Sequence, residues 1–175
     1  MKKITFQGEY GAYSHLACTK AFSDLEPIPC RTFESALDNV RSGNSDLAMI
    51  PVENSVAGRV ADIHYLLGDY DLKIYAEHFQ MVEHQLLVRS GVSLKEIKSV
   101  RSHTMAIGQC QAVIKELGLQ TIVMADTAGS AKYISEHENC KDAAIASKLA
   151  AETYGLEIAK DNIQDMQHNT TRFLV

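Results

Sequence analysis

The 175-residue sequence has no apolar run long enough to cross a bilayer, no CxxC pair and no stretch dense in lysine and arginine. Each absence removes a class of function. A membrane helix needs about 20 consecutive apolar residues, so membrane partners are not expected. The N-terminal MKKITFQGEYG carries two lysines but lacks the long apolar segment of a secretory signal, and the expected compartment is the cytoplasm. The four cysteines, Cys18, Cys30, Cys110 and Cys140, are too scattered for zinc or dithiol chemistry and read as reduced, mostly buried thiols. His78 and His84 flank FQMVE without an HExxH arrangement, and no carboxylates cluster at ligand spacing, so no metal is expected. A formal charge of -5 with no basic cluster argues against a nucleic-acid surface. Linkers rich in proline, glycine or serine are lacking too, as are long-range repeats.

What is present is an alternation of apolar runs with helical patterns. KKITFQ reads as a strand, YSHLACTKAF as a helix, PIPCRTF as a short strand and ESALDNVRSG as a helix. DLAMIPVE is a third strand with Pro51 near its end, followed by the helical ADIHYLL. DLKIYAEHFQMVEHQLLVR holds one or two strands. The theme then repeats: strand IKSVRSH, one helix MAIGQCQAVIKELG ending at Gly118, strand TIVMADT, helix AGSAKYISEH, strand DAAIAS and helix SKLAAETYG ending at Gly155. TTRFLV closes the chain as a strand. This pattern predicts an α/β fold with mixed, mostly parallel sheets covered on both faces. A final strand can return to a first lobe after a second is complete, so two lobes are expected: residues 1–80 plus 160–175, and residues 81–159.

The junctions between strands and helices carry small and hydroxyl residues: FQGEYGAYS, IPVENSVAG, VRSHTMA, ADTAGSA and IASKLA. Unpaired N–H groups at helix N-termini attract carboxylates without help from lysine. Ser14, Ser55, Ser102, Thr127 and Ser147 are reasonable N-caps in their own right, and Gly8, Gly11 and Gly58 are reasonable turn residues. Five such junctions in an acidic chain point to a small anion-binding cleft. Glu53 and Asn54, Ser102 with Gln109, and Thr171 beside Arg172 are the candidate site groups. They form no serine or cysteine triad, and no P-loop lysine follows GEYG.

Taken in order, GEYGAYS, IPVENS, HQLL, SHTMAIGQC, DTAGSA, AAIAS and NTTRF resemble the prephenate dehydratase family over essentially the whole chain. The resemblance implies two α/β lobes like those of type II periplasmic binding proteins, with the active site in the inter-lobe cleft. It implies decarboxylating dehydration of prephenate to phenylpyruvate in phenylalanine biosynthesis, without an organic cofactor or metal, by an enzyme expected to be a homodimer. An arogenate dehydratase giving phenylalanine directly, and a non-catalytic carboxylate-binding module of the same fold, are the alternatives.

Carried over residue by residue, the resemblance makes Thr171 the hydrogen-bond donor to the departing oxygen, with Asn54, Gln109 and Ser102 as further catalytic groups. Ser14, Ser55, Thr127 and Ala128 are expected to hold the substrate carboxylate, and Glu53 and Arg172 to line the substrate. Strand alternation sends Thr171 and Arg172 to opposite faces, which gives Arg172 an alternative as the partner of an acidic side chain. Thr104 and Met105 stand where the family commonly has proline and glutamine. Relatives usually continue past this point into an ACT-type phenylalanine-binding domain, so the sequence is expected to be the catalytic part of a longer chain.

Overall fold

The computed structural model describes residues 2–137 and 140–175. Its contacts divide the chain into two units. Unit 1 gathers the chain up to Glu9, Tyr13–Val82 and His168–Val175; unit 2 gathers Tyr10–Ala12 and Glu83–Gln167. Residues 160–167, expected with the first lobe, belong to unit 2. There β10 (Glu157–Lys160) pairs with β6 (Gln85–Val88), and the Ile163 N–H donates to the His84 carbonyl at 2.8 Å.

Unit 1 is a mixed sheet in the order β2 (Glu26–Cys30), β1 (Lys3–Gln7), β3 (Leu47–Asn54), β11 (Thr170–Leu174), β5 (Glu77–Met81), with the short β4 (Gly58–Arg59) also on β3. Parallel pairing is confined to β1 with its two neighbours; β11 runs antiparallel to both β3 and β5. The expectation of mostly parallel sheets therefore fails at the returning strand. A chain that enters a sheet last, from the other unit, is not bound by the crossover geometry that makes successive βαβ strands parallel. Pro27 and Pro29 share one parity on β2, an edge strand, so their missing N–H groups face the open side. Pro51 sits at a bulge where the β3–β11 register shifts between Arg172 and Phe173.

Helix α1 (Tyr13–Ala21) covers one face of this sheet through Ala17 and Cys18 against Ile4, Phe6, Met49 and Phe173. The other face is filled by Ala36 and Leu37 of α2 (Phe33–Arg41) and Ile63 of α3 (Ala61–Asp69) against Ala48, Ile50 and Val52. Consecutive residues of β3 thus feed opposite cores, which is why AMI reads as a continuous apolar run.

Unit 2 has the order β10, β6, β9 (Ala143–Ala146), β7 (Ser99–Ser102), β8 (Gln120–Val123), with β7 parallel to its two neighbours and β6 antiparallel to β9 and β10. All four β9 residues are buried between helices. The single helix expected over MAIGQCQAVIKELG is broken into α4 (Thr104–Gly108) and α5 (Gln111–Glu116). The cause is a long-range contact: the Asp165 carboxylate accepts from the N–H groups of Gln111 (2.9 Å) and Ala112 (3.0 Å), capping a new helix start at that point. Helices α6 (Thr127–Glu136) and α7 (Lys148–Tyr154) complete the unit, and α7 ends on Gly155 at φ 64°, as its sequence predicts.

The GEYG turn has a packing explanation. An added Cβ on Gly11, at φ +87°, would lie 2.7 Å from the Ala150 Cα. The Gly11 carbonyl accepts from the Ser147 hydroxyl at 2.5 Å, and the Tyr10 carbonyl from the Tyr154 hydroxyl at 2.7 Å. Residues 10–12 are thereby strapped to α7.

Candidate active site

Thr171 and Asn54 are direct cross-strand partners in the β11–β3 ladder, so their side chains share one face of the unit 1 sheet. Asn54 Nδ2 donates to Thr171 Oγ1 at 2.9 Å and to Asn169 Oδ1 at 2.7 Å. Its Oδ1 accepts from the backbone N–H groups of Val56 (2.9 Å) and Ala57 (2.8 Å). Those two backbone donors fix which end of the amide is oxygen. With Asn54 donating to a lone pair on Thr171, the hydroxyl of this half-buried side chain keeps its own proton to donate elsewhere.

Asn169 is missed by the sequence reading. It is 1% exposed, and its carbonyl accepts from the Val82 N–H at 2.7 Å. The signal was available: in an extended segment residues 169 and 171 face the same side. Ser55 stitches this segment in place rather than facing a ligand with a free hydroxyl. It donates to the His168 carbonyl (3.2 Å), accepts from the Thr170 N–H (2.9 Å), and its own N–H reaches the Thr170 carbonyl (2.9 Å).

Glu53 and Arg172 lie opposite each other in register and, by alternation, on the face away from Thr171. Arg172 is bonded to Glu77 Oε2 through Nε (3.0 Å) and Nη2 (2.8 Å), both side chains nearly half exposed. This ion pair with an acidic side chain is the alternative that strand alternation allowed for Arg172. Ser14 lies in the first turn of α1 with 9% exposure.

Unit 2 holds the second polar cluster. Gln109 caps the end of α4, its N–H on the Met105 and Ala106 carbonyls and its carbonyl accepting from the Asp165 N–H at 2.7 Å. It stands at the break between α4 and α5. Its Oε1 is 2.8 Å from His84 Nε2. His84 is 2% exposed, and burial lowers its proton affinity below the usual imidazole range despite the opposing bond to Gln109. Nothing in the spacing of HQLL marks it as a partner of Gln109.

Three residues expected at the site are otherwise engaged. Ser102 is fully buried at the end of β7 and donates to the Ile145 carbonyl at 2.7 Å, a bond within the sheet. His103, not Ser102, caps α4. Asp126, not Thr127, caps α6: its carboxylate accepts from the Gly129 N–H at 2.5 Å and occupies the position where a substrate carboxylate was expected. Ala128 is fully buried behind it. Among the five junction residues only Ser147 serves as an N-cap with a side-chain bond, accepting from Ala150 N–H at 3.0 Å. Cys110, next to Gln109, has its thiol pushed up to about 12 by burial and then by the Asp165 charge, which rules it out as a thiolate nucleophile at neutral pH.

A family model described as prephenate dehydratase matches residues 4–175. The chain belongs to the prephenate dehydratase family. It is 47% identical over 172 residues to a bifunctional N-acyl-homoserine lactone acylase/prephenate dehydratase of Komagataeibacter europaeus, covering 98% of this chain and 61% of the relative. It is 40% identical over 174 residues to arogenate dehydratase/prephenate dehydratase 2 of Arabidopsis thaliana, a chloroplastic protein, covering 99% of this chain and 45% of the relative. Among solved structures, prephenate dehydratase from Arthrobacter aurescens in complex with L-Phe superposes with a TM-score of 0.91 at 31% identity, over 98% of this chain and 59% of that one. The chain thus spans less than two thirds of these family relatives.

Proposed function

We propose that the chain catalyses the decarboxylating dehydration of prephenate to phenylpyruvate. In that reaction the ring carboxylate leaves as carbon dioxide. The electron pair of its broken C–C bond enters the ring, and the C–O bond to the ring hydroxyl breaks on the far side. One proton taken from solvent converts the departing oxygen to water. The observation that carries the proposal is the Asn54–Thr171 pair, a hydroxyl that accepts from a carboxamide fixed as a donor and so keeps its own proton for another acceptor.

A threonine hydroxyl is too weak an acid to surrender its proton outright, so Thr171 acts as a preorganised hydrogen-bond donor to the leaving oxygen. The bond from Asn54 polarises the hydroxyl and strengthens that donation. Gln109, in unit 2, is carried over from the family resemblance as a further hydrogen-bonding group. Ser14, in the first turn of α1, stands where N–H groups attract the carboxylate that remains. Lysine is not needed for any of these roles, in keeping with the acidic composition.

Family membership and the arogenate/prephenate names of its plant relatives support a second substrate, arogenate, which differs from prephenate by an amino group in place of the keto oxygen.

The deciding experiment incubates the protein with prephenate and, in parallel, arogenate, following phenylpyruvate and phenylalanine. Replacing Thr171 by valine keeps the shape and removes the donor. Turnover should fall about a hundredfold, the cost of one transition-state donor, at unchanged thermal stability. Full activity in Thr171→Val would remove the hydroxyl from the mechanism.

A further inference from the structure

We infer that unit 1 carries a further ligand site, a pocket for a free α-amino acid with an aliphatic side chain, on the face of its sheet away from Thr171. A half-open cavity of about 260 Å³ lies between α2, α3 and the segment that joins α3 to β5. Its floor is a rung of the β3–β11 ladder, Ile50 opposite Leu174. Alternation along β11 puts Leu174 on the same side as Arg172, so the cavity and the Thr171 hydroxyl belong to opposite faces. Leu37 of α2, Leu67 of α3 and Leu72 of the joining segment supply walls. A cavity of about 150 Å³ lined by leucine, isoleucine and phenylalanine is enough to admit benzene. This larger one takes a whole alkyl side chain, and Ile74, 68% exposed at its mouth, is apolar surface that such a ligand covers.

The class of ligand follows from the two charged side chains in the lining, Asp46 and Lys73. The Asp46 carboxylate is held in place by the Lys3 N–H, which donates to its Oδ2 at 2.8 Å. Lys73 meets Asp71 at 3.5 Å, and both of those side chains are more than nine-tenths exposed, so the pair contributes little and the ammonium is available to another carboxylate. A plain hydrocarbon would use neither charge. A fatty acid would bring its carboxylate near Asp46, and an alkylamine its ammonium near Lys73. A zwitterion uses both: its carboxylate goes to Lys73, its ammonium to Asp46, and its alkyl group onto Ile50 and Leu174. Apart from those two charges the lining residues are aliphatic, so a polar side chain would be buried against hydrocarbon and is disfavoured.

The test titrates ¹⁵N-labelled protein with three probes that share one hydrocarbon chain: L-norleucine, hexanoate and pentylamine. Norleucine should shift the backbone amides of Leu37, Ile50 and Leu174 saturably. Hexanoate and pentylamine each lack one charge and should bind at least about threefold more weakly, the worth of one exposed ion pair. Lys73→Gln and Asp46→Asn should each weaken norleucine by a similar factor at unchanged Tm, because both side chains are exposed and asparagine still accepts from the Lys3 N–H. Ala48→Leu, which fills the cavity from its floor strand, should abolish binding; should that variant not fold, the two rim variants carry the test. Hexanoate or pentylamine binding as tightly as norleucine, or rim variants that bind like the parent, would overturn the zwitterion. Lining amides that do not respond, or shifts confined to the surroundings of Asn54 and Thr171, would overturn the site itself. The readout does not involve turnover, so Thr171→Val should bind norleucine like the parent, and an inability to turn over prephenate would count against the dehydratase reading alone.

Discussion

Replacing Asn54 by aspartate isolates the donor chain with almost no change of shape. The retained Oδ1 still accepts from Val56 and Ala57, so the turn after β3 survives. The Nδ2 that served Asn169 at 2.7 Å and Thr171 at 2.9 Å becomes a carboxylate oxygen. Thr171 then turns its proton toward residue 54 and withdraws it from the substrate. Losing that donor costs about 3 kcal/mol of barrier. A carboxylate roughly 5 Å from a substrate anion adds repulsion of about 3 kcal/mol at an effective dielectric near 20. The two effects overlap, so the expected loss in kcat/KM lies between about 10² and 10⁴. Losing the bond from residue 54 to Asn169 Oδ1 and setting two acceptor oxygens against each other costs about 1–3 kcal/mol of stability, a fall in Tm of about 2–10 °C. The assay is phenylpyruvate formation across a pH series, alongside thermal unfolding. Protonation of the new carboxyl restores an O–H donor to Thr171, so the deficit should shrink as pH falls. Near-parental turnover at neutral pH, or a deficit indifferent to pH, would refute the donor-chain reasoning.

Gly11→Ala should destabilise the chain by about 2–4 kcal/mol, from the left-handed φ and a backbone clash with Ala150, read as a lower urea midpoint; an unchanged midpoint would mean residues 10–12 are not strapped to α7. Arg172→Gln should leave kcat within about threefold and stability within about 1 kcal/mol, because an exposed ion pair on the face away from Thr171 is lost; a large fall in kcat would restore Arg172 to the site. Stability should decline as pH drops below about 6.5. Burial lowers the folded-state pKa of both His15 and His84, so below the unfolded value the unfolded chain binds more protons. Urea midpoints against pH should bend there and flatten in His84→Gln. Asp142 adds a later loss. Burial opposes its ionisation, but hydrogen bonds from Ser99 and Arg101 outweigh that and hold it below the usual carboxylate range, so its contribution goes only as pH falls through that lower value.

The strands and most helices were legible because their cores are regular. AMI and AAIA are buried on both faces and Gly155 stops α7 where the pattern says it should. What failed depended on distant residues. Asp165 breaks the helix after Gln109 from more than fifty positions away, and β11 enters its sheet antiparallel because it arrives from the other unit. The N-caps misled for a related reason. A hydroxyl beside a helix start is a sound candidate, yet the aspartate one position earlier in ADTAGSA took the cap, with Gly129 leaving room for its carboxylate: a Cβ there would lie 2.8 Å from Asp126 Oδ2. Thr171 and Asn54 came from motif resemblance, while Asn169 and His84 act through long-range partners that no local window contains.

The two polar clusters follow one physical rule. In each, a buried group consumes the oxygen of a carboxamide: backbone N–H groups do so at Asn54, and an imidazole does so at Gln109. The Asn54 amide is thereby forced to act as a donor, through the hydroxyl of Thr171. Neutral donors held this way suit a substrate that must lose a carboxylate. A lysine or arginine would bind the departing group most tightly before the reaction, when its charge is still localised, and so deepen the ground state. Oriented dipoles aimed at the leaving oxygen gain strength only as that oxygen takes up charge. On the proposed reading, the acidic composition of the chain is compatible with handling a dianion, because the attraction would come from fixed N–H and O–H bonds.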